Sequence, residues 1–159
     1  MSLVRAWSAI ASCMLLAGCA GLTYAWIANG AGLACADTDL QAIRTQDGVA
    51  PPEEATVLSC GEDEDDGRRA YYLTFTLSAD RLPAFLSASG IRQGQGRSLG
   101  VQQEIAAHLE WDIAKLPLFT AGVEGYRGEH NREQGRTYEM TVDQRNPTTF
   151  TVYYYSLLS

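Results

Sequence analysis

Between Arg5 and Asp37 the chain carries no charged side chain, and this stretch constrains the fold more than anything after it. From Ala6 to Ala28 it reads as a continuous apolar run broken only by small and weakly polar residues. About 20 such residues, rising about 1.5 Å each as a helix, cross a hydrocarbon layer of about 30 Å. Arg5 precedes the run, while Asp37 and Asp39 follow it. The basic flank stays cytoplasmic, so the chain beyond Asn29 is expected to face outward. Residues 1–30 are thus read as a membrane anchor. The bilayer is the first expected partner, and the cell membrane, with the domain on its extracytoplasmic side, is the expected location.

A second signal lies inside the same run. Leu16-Ala17-Gly18-Cys19 fits a bacterial lipobox, in which the cysteine is diacylated before cleavage. The short basic start and the apolar stretch Ala6–Leu15 also suit a signal peptide. Against cleavage, Leu22, Tyr24, Trp26 and Ile27 prolong the apolar run where a lipoprotein would have a polar tether. The expectation is an uncleaved signal anchor, with lipidation at Cys19 as the alternative. Ala17, Gly21 and Ala25 recur every four residues, the spacing at which small side chains let two membrane helices approach, so a helix-mediated homodimer is a further expectation.

Beyond the anchor about 120 residues remain, enough for one compact domain and too few for two. They hold 11 basic and 19 acidic residues, a net of −8. Such a surface repels nucleic acid, which excludes that class of partner. Of four cysteines, Cys13 and Cys19 lie in the apolar run, and Cys35 and Cys60 lie outside, in a compartment that permits oxidation. With no CxxC and neither histidine at ligand spacing, a Cys35–Cys60 disulfide is expected rather than a metal site.

Residues 31–69 read as a loop region pinned by that bridge, with at most one helical turn, the short apolar stretch Leu40–Ile43, Pro51-Pro52 and the acidic turn Gly61–Gly67. Residues 70–159 read as an α+β domain. Tyr71, Leu73, Phe75 and Leu77 alternate with Tyr72, Thr74 and Thr76, the period of a strand. A helix is expected over Asp80–Ser89, with Asp80 as its N-cap, Pro83 in its first turn and Gly90 as its left-handed stop. Val101–Trp111 places Val101, Ile105, His108 and Leu109 on a helical face, with a short strand ending at Trp111 as the alternative, and Lys115–Asn131 is expected to be irregular. Tyr138, Met140 and Val142, then Phe150, Val152 and Tyr154, alternate on either side of Gln144–Thr148 and predict a closing hairpin. The expected fold is a three- or four-stranded antiparallel sheet with one helix packed on the face of Phe75, Leu77, Met140, Val142, Phe150 and Val152.

The strand Tyr72–Leu77 runs into Asp80-Arg81-Leu82-Pro83-Ala84-Phe85-Leu86. Trp111-Asp112 follows, then the closing Thr151-Val152-Tyr153-Tyr154. This succession resembles a class of uncharacterised actinobacterial envelope proteins, in which a membrane anchor or lipobox precedes a small domain with two cysteines. The resemblance implies an envelope setting and no activity.

No catalytic, metal or cofactor set emerges. Glu62, Glu64, Asp66 and Gly67 imitate the start of a calcium loop, but the twelfth position is Leu73, so the bidentate ligand is missing. Gly94-Gln95-Gly96-Arg97-Ser98 lacks the strand and helix that frame a phosphate loop. His108 near Glu104, Glu110 and Asp112 has no nucleophile at recognisable spacing, and His130 sits in a polar loop. Tyr72, Tyr153 and Tyr155 fall on the sheet face opposite the expected core. They form either an interaction face or, if the segment with Trp111, Leu116, Leu118 and Phe119 covers them, a second core. The expected function is a non-enzymatic module that binds a protein, peptide or glycan in the envelope. The alternative is a structural or accessory subunit.

Overall fold

The structure, a computed structural model, describes residues 35–91, 100–131 and 135–158. Its centre is a five-stranded antiparallel sheet in the order β1-β2-β5-β4-β3: β1 Thr56–Asp65, β2 Arg68–Ser78, β3 Val123–Asn131, β4 Arg136–Asp143 and β5 Thr149–Leu158. Helix α1 spans Asp37–Asp47, α2 Leu82–Ala88 and α3 Gln103–His108; 3₁₀ turns cover Ala79–Arg81 and Asp112–Lys115. The α+β class and the β4–β5 hairpin agree with the sequence reading. The sheet is larger than expected by β1 and β3, the two edge strands.

Both missed strands have a local cause. The acidic run expected to be a solvated turn is the second half of β1, where Glu62, Glu64 and Asp65 pair in register with Tyr71, Arg69 and Arg68 of β2. Glu62 meets Arg69 at 2.7 Å. Carboxylates on an edge strand also discourage pairing with another chain. The turn itself is only Asp66-Gly67, both at positive φ (55° and 76°), as a two-residue hairpin of this hand requires. In β3, Gly125 and Gly128 mask the strand pattern. Gly128 lies opposite Tyr138, whose ring covers it so closely that an added Cβ would sit 2.7 Å from the hydroxyl. Gly61 of β1 stands in the same relation to Tyr72. Each edge strand thus gives up a side chain so that an inner-strand tyrosine can fold over its backbone.

The first sheet face packs as foreseen. Tyr71, Leu73, Phe75, Leu77, Tyr138, Met140, Val142, Val152 and Tyr154 meet Leu82, Phe85 and Ile91 in one buried cluster. Phe75 and Phe85 touch edge to face at 5.1 Å. Gly90 (φ 64°) stops α2, and the Ile91 N–H donates to the Leu86 carbonyl at 3.0 Å, which turns Ile91 back into the core. The start of α2 differs from expectation. Asp80 is not its N-cap, because Ala79–Arg81 first winds as a 3₁₀ turn, and Pro83 is then the second helical residue.

The second face is also covered, so the domain has three layers, not two. Residues 100–116 cross it, and Val101, Ala106, Trp111 and Ile113 bury Ala70, Val123, Tyr153 and Tyr155. Thr141 fixes this segment: its hydroxyl accepts the Gly100 and Val101 N–H groups at 2.9 and 3.0 Å. The Glu139 carboxylate accepts the Gln102 N–H at 3.0 Å, and the Arg127 guanidinium donates to the Gly100 carbonyl at 2.7 Å. The approach at Gly100 leaves no room for a side chain, since a Cβ would sit 1.7 Å from the Met140 carbonyl oxygen. Gly100→Ala is therefore expected to lose about 1–3 kcal/mol through overpacking against backbone that cannot rotate away. Urea denaturation reads this directly, and an unchanged midpoint would refute the close approach.

Residues 37–65 correct the loop-region reading most. They hold α1 and β1, with Ile43 and Val49 fully buried against the first face. Helix α1 has a low density of apolar residues, so its pattern stays below what periodicity alone can detect. Gly48 at φ 69° ends it. Among the described residues no helix is long and apolar enough to cross a membrane. The anchor expected over residues 1–30, the Ala17/Gly21/Ala25 stripe, lipidation at Cys19 and the Gly94–Ser98 loop all lie outside the described residues.

Candidate functional site

Cys35 and Cys60 form a disulfide with their Cα atoms 4.9 Å apart. Cys60 is buried opposite Leu73 in β1, and Cys35 packs on the same core just before α1. The bond thus fastens the start of α1 to the middle of an edge strand. Closing a loop of this size contributes about 3.5 kcal/mol on the chain-entropy account. Cys60→Ser should lower stability by roughly that amount relative to the oxidised parent. Denaturation with and without a reductant tests it: reduction should bring the parent close to the variant, and a parent indifferent to reductant would refute the contribution.

The tyrosine face, read in the sequence as either an interaction surface or a second core, is closed. Tyr153 and Tyr155 are buried, Tyr72 is half-buried over Gly61, and Trp111 packs on Tyr153 with tilted rings, their centres 5.3 Å apart. Of the two readings of these residues, the second core is the one observed. Leu118 and Phe119 do not take part, since they are 53% and 76% exposed on the loop leading into β3. Beside them lies a shallow cavity of about 460 Å³ lined by Phe119–Glu124.

Burial of the phenols has a pH signature. Desolvation, followed by the carboxylates of Asp112 and Asp143, pushes Tyr153 up to about 12. Burial raises Tyr126, Tyr154 and Tyr155 as well, with Glu124 beside Tyr126, Asp47 beside Tyr154 and Asp63 beside Tyr155. A phenol whose folded pKa is raised stabilises the fold fully below its unfolded value near 10, and that contribution is lost as pH rises through the folded value. The domain should therefore hold its fold to about pH 10 and unfold between roughly pH 10 and 12. These phenols should ionise only as it unfolds. Phenolate absorbance that rises near pH 10 with unchanged circular dichroism would contradict the burial.

The other sequence candidates come apart. His108 does not meet Glu104, Glu110 or Asp112; its Nε2 lies 3.2 Å from Asp63 Oδ1 on β1, and its ring is 66% exposed. Asp63 also faces Tyr155, so the pair joins α3 to the sheet surface. Glu62 and Glu64 lie along an extended strand, which cannot wrap their carboxylates around one ion. Among the described residues no group of three or more potential metal ligands gathers. The His130 side chain lies outside the described residues.

A polar cluster that the sequence reading missed lies beneath the last turn of α1. Asp47 and Arg136 are buried, their side chains 0% and 2% exposed, with Nε and Oδ1 2.9 Å apart. The Ser156 hydroxyl donates to Asp47 Oδ2 at 2.5 Å. Gln46 accepts from Arg136 at 2.5 Å and donates to the Tyr71 hydroxyl at 3.1 Å. The guanidinium lies over the Tyr71 ring, 5.3 Å from its centre, and the Tyr154 hydroxyl faces Asp47 and Ser156. A carboxylate at a helix C-terminus opposes the helix dipole, so Arg136 must offset both that field and the cost of burial. The one sequence signal was an acidic residue at the end of a weak helical pattern directly before a glycine. Its partners lie 89 and 109 positions away.

Compared with known proteins, the chain matches no family model, no curated protein and no solved structure.

Proposed function

We propose that the chain is a membrane-tethered extracytoplasmic module, of the kind its sequence resembles in actinobacterial envelopes, that binds a protein, peptide or glycan without catalysing a reaction. The observation that carries this reading is the Cys35–Cys60 disulfide, which follows the uncharged run Ala6–Ala28 by only a few residues. A bond of this type persists where the environment is oxidising, and the run has the length to hold the domain there. With both sheet faces covered, recognition falls to the strand edges, the loops, or a surface uncovered by a moving element. Protease added to intact spheroplasts tests the placement: the domain should be digested from outside while a cytoplasmic marker survives. A domain cut only after lysis would refute it.

A second reading keeps the location and changes the anchor. Leu16-Ala17-Gly18-Cys19 favours a diacylated Cys19 as the mature first residue. Intact mass of the membrane-extracted protein separates the two, since the signal anchor requires an uncleaved chain. In either form the domain serves as a binding module or as an accessory subunit of an envelope complex.

A further inference from the structure

The sheet face under α1 carries more hydrogen-bonding capacity than α1 uses. Arg136 opens β4 and Ser156 lies on β5, and the register of these strands sets them on the same face, beside Tyr154. A guanidinium binds a carboxylate best through two parallel N–H bonds. Asp47 does not supply them. Its Oδ1 lies at ion-pair distance from Arg136 Nε, yet neither atom makes an aligned hydrogen bond, and Arg136 Nη2 is buried with no hydrogen-bond partner among the described residues. The backbone of α1 dictates where the Asp47 carboxylate can reach, and it reaches the cradle off axis.

We propose that Arg136, Ser156 and Tyr154 form a carboxylate-binding cradle that Asp47 occupies in cis, and that α1 is a removable strap over it. The strap is held by the disulfide at Cys35, the buried Ile43, the Gln46 amide between Arg136 and Tyr71, and Asp47 itself. A carboxylate free of the helix can meet the guanidinium squarely and use the donor that Asp47 leaves idle. The ligand class is a carboxylate borne by a peptide partner. The proposal deepens the binding reading and rests on it for the source of that ligand, whereas the chemistry of the cradle is independent of tethering.

The test uses the full chain in detergent micelles with Asp47→Ala, and sodium formate as the probe against sodium chloride at equal ionic strength. Formate at ten times its dissociation constant should multiply the folded-to-unfolded ratio about elevenfold, read by thermal or urea unfolding. Chloride should not, and Asp47→Ala combined with Arg136→Met should lose the response. An equal effect of both salts, or a formate effect that survives the double substitution, would overturn the cradle. Should Asp47→Ala not fold, the same titration reads formate-dependent refolding of that variant, since a ligand that binds only the folded state draws the chain into it. The strap is read separately in the wild-type chain with Cys35–Cys60 reduced by a dithiol. Formate should speed amide exchange over residues 37–47 relative to chloride, and exchange that is unchanged would refute a removable strap. Neither outcome depends on which side of the membrane the domain occupies.

Discussion

Asp47→Ala is expected to cost the domain about 3–5 kcal/mol, because it leaves the Arg136 guanidinium buried without its counter-charge. That is a large fraction of the whole stability of a small domain. Arg136 cannot move to water without unseating α1, since its side chain is 2% exposed and lies over Tyr71. The converse experiment separates the pair from the space it fills. Replacing both partners together, with Asp47→Leu and Arg136→Met, should recover most of the loss, since an apolar pair of similar volume removes both desolvation penalties at once. A double-mutant cycle in urea measures the coupling. Single losses that simply add would mean that the two charges do not interact.

The second large effect comes from the core on each side of the sheet. Phe75→Ala empties the centre of the first face, where the ring is fully buried against Phe85, and should cost about 3–5 kcal/mol. Tyr155→Ala should cost a comparable amount, about 3 kcal/mol or more, because its ring is only 2% exposed under the segment 100–116. Equal losses distinguish a three-layer domain from a sheet with one open face. A small loss for Tyr155→Ala would return that face to solvent and make it available for recognition.

The elements that could be read in advance are those whose information is local. β2, β4 and β5 carry clean alternation of apolar and polar residues, and α2 carries a proline near its start and Gly90 at its end. Those features specify conformation within a few residues. β1 was hidden because its outer half is charged, and the charges that pair it, Arg68 and Arg69, sit beyond the turn. β3 was hidden because its glycines are tolerable only where Tyr138 covers one of them. The candidate site follows the same division. The disulfide was legible from two cysteines outside the apolar run, whereas the Asp47–Arg136–Ser156 cluster was not, because nothing near Asp47 announces an arginine 89 positions later.

The sequence by itself determined the antiparallel α+β class, the inner strands and the face that takes α2, because alternation leaves a strand only one way to bury its apolar side. It also determined the acidic surface and the pairing of Cys35 with Cys60. Only the tertiary structure decided whether the tyrosine face met water or a second layer. Burial of a face depends on which distant segment lies over it, and Trp111 reads the same in sequence whether it covers Tyr153 or not. The tertiary structure alone also turned Asp47, an unfavourable residue at a helix end, into the point where α1 is held. A charge can be buried only where its counter-charge is brought to meet it, and that meeting is made by the fold.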